Sequence, residues 1–229
     1  MKIGYRISDN FIVVSCSKNA STTVMLQSLC YNEKKQINEY NDLEFKHVNQ
    51  SIYGALWPYT NKYKIICDNI KKYTNFKLIF IFRDPIKRFL SAYKTWFVGA
   101  GKTFDEFVKF VKEDIETYKD NINIINQHYR PQYSFINFDD IDIFIEQNDY
   151  EMFCNEQGIQ YLKANQNKDL SYQSKIELTD EHISILKDLY KEDYEMIEKI
   201  NKIANKNDTS FNNIVVNMIE YCLKEGLTS

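Results

Sequence analysis

Residues 77–93 read Lys77-Leu-Ile-Phe-Ile-Phe-Arg83-Asp-Pro-Ile-Lys-Arg-Phe-Leu-Ser91-Ala-Tyr93, and this stretch decides the fold class. Lys77 to Phe82 is an apolar run too continuous to alternate between core and solvent, so a strand buried on both faces is expected. Pro85 suits the first turn of a helix, where its missing N–H costs nothing. From there Ile86, Phe89, Leu90, Tyr93, Trp96 and Phe97 keep helical spacing. A buried strand that turns directly into an amphipathic helix is a building unit of an α/β domain.

A second such unit lies upstream. Phe11 to Cys16 reads as a buried strand, a polar loop follows, and Thr22 to Leu29 reads as a helix with Val24, Met25 and Leu29 inward. Residues 31–46 look irregular, and 48–56 fit neither period. Downstream, Phe104 to Ile115 marks a helix, Ile141 to Ile145 a strand and Tyr150 to Glu156 a helix. Thr179 starts a long helix with Leu178 and Ile183 as a staple and Ile183, Leu186, Leu189, Tyr190, Tyr194 and Ile197 inward. A last helix covers Phe211 to Lys224. No repeat or boundary interrupts the chain, so one three-layer α/β domain over residues 1–229, built on a largely parallel sheet, is expected.

Composition narrows the function. With 44% hydrophobic and 27% charged residues the chain sits near globular averages, which argues against wholesale disorder. The net charge of −3 gives no support for nucleic-acid binding, so any anion site must be a local cluster of donors. The five cysteines show no C-x-x-C spacing and read as reduced, packed thiols. The N-terminus lacks the layout of a signal peptide, and no apolar run approaches the roughly 18 residues of a membrane span. A cytoplasmic protein is expected.

Two segments carry the chemistry. Ser15-Cys-Ser-Lys18-Asn19-Ala20-Ser21-Thr22-Thr23 joins a strand to a helix, where open α/β sheets place their ligands. A helix N-terminus offers free N–H groups to a phosphate, the three hydroxyls add donors, and Lys18 adds a full charge. Ser and Thr also cap helices with no ligand present, and the segment alone does not separate the two readings. The glycine-rich loop of nucleotide triphosphatases is absent. Arg83 stands at the carboxyl end of the second strand, where its fork can engage a phosphate. Lys87 and Ser91, four apart, share a helix face with it. A solvated face is the bland alternative, but two anion sites on neighbouring strands suit a nucleotide with two separate phosphate groups.

Lys18-Asn-Ala-Ser-Thr-Thr resembles the 5′-phosphosulfate loop of sulfotransferases. Arg83-Asp-Pro-x-x-Arg-x-x-Ser-Ala-Tyr93 resembles their 3′-phosphate motif, in the form found in carbohydrate sulfotransferases of the family 2 type. His128-Tyr-Arg-Pro-Gln132 and Leu178-Thr-Asp-Glu to Leu189-Tyr-Lys-Glu-Asp-Tyr194 are similar to two further segments of that group. The resemblance implies a P-loop, nucleoside-kinase-like fold around 3′-phosphoadenosine 5′-phosphosulfate (PAPS), with no metal. It places Lys18 near the oxygen bridging phosphate and sulfate. Asn19, Ala20, Ser21, Thr22 and Thr23 would surround the 5′-phosphate, with Arg83 and Ser91 at the 3′-phosphate. Ala20 stands where a glycine is usual.

Sulfuryl transfer to a hydroxyl asks for a base, and a histidine is the natural one near neutral pH. His182 falls in the first turn of a surface helix and reads as structural. His47 is the first choice as base and His128 the second, the other binding the acceptor or assisting the proton transfer. Arg130 and Gln132 are candidates to hold the acceptor, a carbohydrate that can be a membrane-associated glycan. The rival readings are a kinase of the same fold, a catalytically silent nucleotide- or glycan-binding relative, and a sulfotransferase acting on tyrosine or a small alcohol.

Overall fold

The computed structural model describes residues 3–34, 64–66, 75–96, 101–161 and 176–204. Strand β1 (Ile3–Arg6) and strand β2 (Phe11–Ser15) form an antiparallel pair. Helix α1 (Ser21–Glu33) follows, then the short strand β3 (Lys64–Ile66) and strand β4 (Lys77–Phe82). After helices α2 (Pro85–Trp96) and α3 (Phe104–Thr117) and a run of 3₁₀ turns come strand β5 (Ile143–Glu146) and helices α4 (Tyr150–Glu156) and α5 (Asp180–Leu189). The sheet order is β3-β1-β2-β4-β5. The centre is parallel, β2 with β4 and β4 with β5, and the β1–β3 edge is antiparallel.

The α/β fold expected from sequence is the one observed, and the register shows how the runs build it. Val13, Ile79 and Ile143 lie side by side, and with Ile81 and Ile145 they pack against Val24 and Met25 of α1 and Tyr150 and Cys154 of α4. The opposite face carries Ile12, Val14, Leu78, Phe80 and Phe82, all buried as well. Both faces of the central strands are covered, as an unbroken apolar run requires. Strands β1 and β3 were not anticipated. Gly4 and Arg6 break any apolar run in Ile3–Arg6, so only pairing with its neighbours makes it a strand.

Helices α2 and α3 pack with α5 around an aromatic cluster. Phe89 stacks on Phe107 at 4.7 Å and meets Phe104 and Tyr190 edge-on. The buried face of α2 differs from the expected one. Arg88, Phe89, Ala92 and Tyr93 are buried, whereas Ile86 and Leu90 are only half-buried. The long helix expected from Thr179 is also interrupted. Its capping box forms, Thr179 with His182, but the helix ends at Leu189. Tyr190 leaves helical geometry (φ −112°, ψ 25°), is fully buried, and donates its hydroxyl to the Tyr129 carbonyl at 2.7 Å.

By contacts the chain divides into two compact units, residues 1–190 and 191–229. In the second, residues 191–204 are helical, with a Lys191–Glu195 ion pair one turn apart. His47 and the helix expected over 211–224 lie outside the described residues. Among the described residues no helix is long and apolar enough to cross a membrane.

Candidate active site

The adjacent strands β2 and β4 run in parallel, so their carboxyl ends deliver two loops to the same rim of the sheet. The loop after β2 closes with the Asn19 N–H donating to the Cys16 carbonyl at 3.2 Å. Lys18 (φ 73°) and Ala20 (φ 57°) are both left-handed. Alternation of this kind turns successive backbone N–H groups toward one concavity, which favours an anion. Helix α1 then begins at Ser21 with no side-chain cap and no acidic residue in its first turn. Its positive end is therefore not offset locally, and Ser21 and Thr22, both half-buried, flank it with hydroxyls while Thr23 is buried.

Ala20 takes a conformation that a residue with a Cβ pays roughly 1–2 kcal/mol to adopt. Ala20→Gly is expected to raise stability by about 1 kcal/mol after the added flexibility of the unfolded chain is counted. In a thermal melt this is a gain of about 2–4 °C. An unchanged or lower melting temperature would show that the loop does not hold this geometry in solution.

The loop after β4 is ordered by its own sequence. Asp84 caps α2, its carboxylate accepting the Lys87 N–H at 2.8 Å, and its carbonyl accepts the first helical bond from the Arg88 N–H at 2.9 Å. Pro85 follows the cap. This leaves Arg83 on the rim, where its Nη1 donates to the Lys18 carbonyl at 3.3 Å. Two motifs 65 residues apart thus meet through one guanidinium. Ser91 is half-buried one face along α2, and Lys87 is exposed.

Buried polar side chains hold this rim in place. Asn19, fully buried, donates to the Cys16 sulfur, to the Ile81 carbonyl at 3.1 Å, and to Gln132 Oε1. Gln132, also fully buried, accepts the Arg83 N–H at 3.0 Å and donates to the Arg83 carbonyl at 2.7 Å. Its amide is engaged inside the protein and closed off from solvent, which differs from the acceptor contact expected of Gln132. Arg88, only 1% exposed, donates to the carbonyls of Ser17, Arg130 and Gln127.

His128 lies in the turn that Arg88 grips. Asn126 Oδ1 accepts both the His128 backbone N–H at 3.0 Å and the ring Nδ1 at 2.8 Å. An atom that accepts a backbone N–H is the amide oxygen, so this contact favours the tautomer with its proton on Nδ1. Arg130 stacks its guanidinium 3.8 Å from the Phe135 ring centroid and donates to Asn123, and its buried Nε has no hydrogen-bond partner among the described residues.

Positive charges crowd this rim. Burial, then the neighbouring Arg83 and Arg88, bring the Lys18 ammonium down to about 8. Burial also lowers Arg83, against a partial offset from Asp84. His128 is pushed down to about 4, first by burial and then by Lys18 and Arg88. A site that penalises its own cations is relieved by an anion, and one bearing two separated charges matches the two motifs. A cleft of about 710 Å³ elsewhere, between the β1–β2 turn and the end of α1, contains none of these residues.

Sequence reading placed Lys18, Arg83 and the loop hydroxyls but assigned nothing to Arg88 or Asn126. A signal for Arg88 existed. It is the second arginine of the Arg83-Asp-Pro-x-x-Arg motif and stands next to Phe89 and one helical turn before Ala92.

A cationic rim at the carboxyl ends of parallel strands is where open α/β sheets place their ligands. The model of the Sulfotransferase family matches residues 5–198, and the chain belongs to that family, whose members transfer a sulfuryl group. No curated protein and no solved structure matches the chain.

Proposed function

We propose that this sulfotransferase moves the sulfuryl group of PAPS onto a hydroxyl of a carbohydrate acceptor, with His128 as the general base. The observation that carries the donor assignment is the meeting of the two motifs, Arg83 Nη1 on the Lys18 carbonyl at the ends of adjacent parallel strands. In this reading the first turn of α1, with Ser21, Thr22 and Thr23, binds the 5′-phosphate, and Arg83 and Ser91 bind the 3′-phosphate. The group moves in line, so the protein's task is to position and to stabilise charge. Lys18 faces the phosphate oxygen that leaves, where negative charge accumulates.

His128 takes the acceptor proton on Nε2, the nitrogen left unprotonated in the tautomer that Asn126 favours. Its low proton affinity keeps it neutral before the reaction, and the negative charges of bound PAPS raise that affinity by offsetting Lys18 and Arg88. His47 is the other candidate for this role. The carbohydrate acceptor is supported by the H-x-R-P-Q segment, whose Arg130 lies over the Phe135 ring.

The test is a calorimetric titration with 3′-phosphoadenosine 5′-phosphate (PAP), with ADP and with ATP plus Mg²⁺ as controls. PAP should bind without metal, and Arg83→Ala should weaken it about 100-fold or more, the scale of a lost charge-assisted fork. Preference for ATP with Mg²⁺, or PAP binding indifferent to Arg83, would overturn the donor assignment.

A further inference from the structure

We propose that Arg88 is the positioning residue that sets the base-bearing turn against the nucleotide loop, so that occupancy of the loop is felt at His128. The inference rests on the reading of Lys18 and His128 given above. It comes from how one buried guanidinium is used. Its Nε holds the carbonyl of Ser17, the residue before Lys18, at 3.0 Å. Its Nη2 holds the carbonyl of Gln127 at 2.9 Å and its Nη1 that of Arg130 at 2.8 Å, gripping the chain on both sides of His128. These are backbone contacts, so they fix where the main chain runs.

A buried, fully charged arginine is costly, and an apolar side chain would fill the space more cheaply. What an apolar residue cannot do is join three carbonyls from two loops in one plane. The guanidinium does this with rigid geometry, whereas a lysine ammonium is a single point on a flexible stem. Arg88 itself is 1% exposed and leaves substrate contact to others. Its role is to keep two groups on separate loops at a set spacing, and a displacement of about 1 Å between such groups costs on the order of 100-fold in rate. Asn19 and Gln132 tie the same loop to β4 and to the 126–132 segment independently, so the turn has little freedom to drift once Arg88 is in place.

The experiment follows the His128 ring by NMR, its signal assigned by its loss in His128→Asn, with and without saturating PAP. In the wild-type protein PAP should move the His128 titration upward by about one pH unit, as anionic charge offsets Lys18. Arg88→Lys keeps the charge and loses the fork, so at saturating PAP the upward movement should fall to less than half. A full-sized movement in Arg88→Lys would overturn the proposal. Loss of all PAP binding in Arg88→Lys would also overturn it, by making Arg88 part of the nucleotide site. Hydrogen exchange on the wild-type protein is the second measurement and needs no variant. PAP should protect amides of residues 126–132 together with those of 16–24, and protection confined to 16–24 would overturn the coupling even if Arg88→Lys does not fold. Failure of the wild-type protein to bind PAP is a separate result, which removes the donor assignment itself.

Discussion

Lys18→Met is expected to lower sulfuryl transfer from PAPS, read as PAP release, by about 10³-fold while the protein stays folded. One preorganised donor aimed at developing charge is worth roughly 10²–10³ in turnover, and Lys18 is a full charge in a partly desolvated loop. Removing it also relieves repulsion with Arg83 and Arg88, so stability should be unchanged or slightly higher. The pH profile gives an independent check, because kcat/KM for PAPS reports groups in the free enzyme. The Lys18 ammonium titrates at about 8, so kcat/KM should fall as pH rises through that value. It should hold down to the region of pH 4, where His128 takes up its proton. An alkaline limb that persists unchanged in Lys18→Met would assign it to another group.

Gln132→Leu is expected to unfold the rim as well as silence it. The amide satisfies the Arg83 N–H, the Arg83 carbonyl and the Asn19 amide, and the side chains of Gln132 and Asn19 are fully buried. Leaving buried polar groups unpaired costs about 1–3 kcal/mol each, so a total loss of about 3 kcal/mol or more is expected. In a denaturation curve this appears as a lower midpoint, accompanied by weaker PAP binding because Arg83 loses both backbone anchors. Were Gln132 an acceptor contact, stability and PAP affinity would both be kept and only the acceptor KM would rise. The two outcomes separate a brace from a binding residue without knowledge of the acceptor.

These expectations draw on different kinds of information. The KLIFIF strand, the Asp84 cap and Pro85 could be read from residues 77–93 because each depends on neighbours in sequence. The same holds for the Thr179 cap, the hydroxyl-rich start of α1 and Arg83 at the end of its strand. Strands β1 and β3 could not be read this way, since their identity comes from partners across the sheet. Gln132 reads as an acceptor contact from sequence because it belongs to the His128-Tyr-Arg-Pro-Gln132 segment. It is buried because Asn19, 113 residues away, and Arg83, 49 residues away, close around it.

The sequence by itself therefore determined the strand–loop–helix units and the two anion motifs at their strand ends, because periodicity, capping and turn chemistry act within a few residues. Tertiary structure alone decided that Arg83 touches the Lys18 loop, that Arg88 is buried between two loops, and that His128 sits in the field of Lys18. It also decided that the helix from Thr179 stops at Tyr190, drawn out by Tyr129 and Phe89. The physical reason is common to all four. A polar side chain carries no local mark of whether water or a distant carbonyl will satisfy it, and only packing of separated segments settles which.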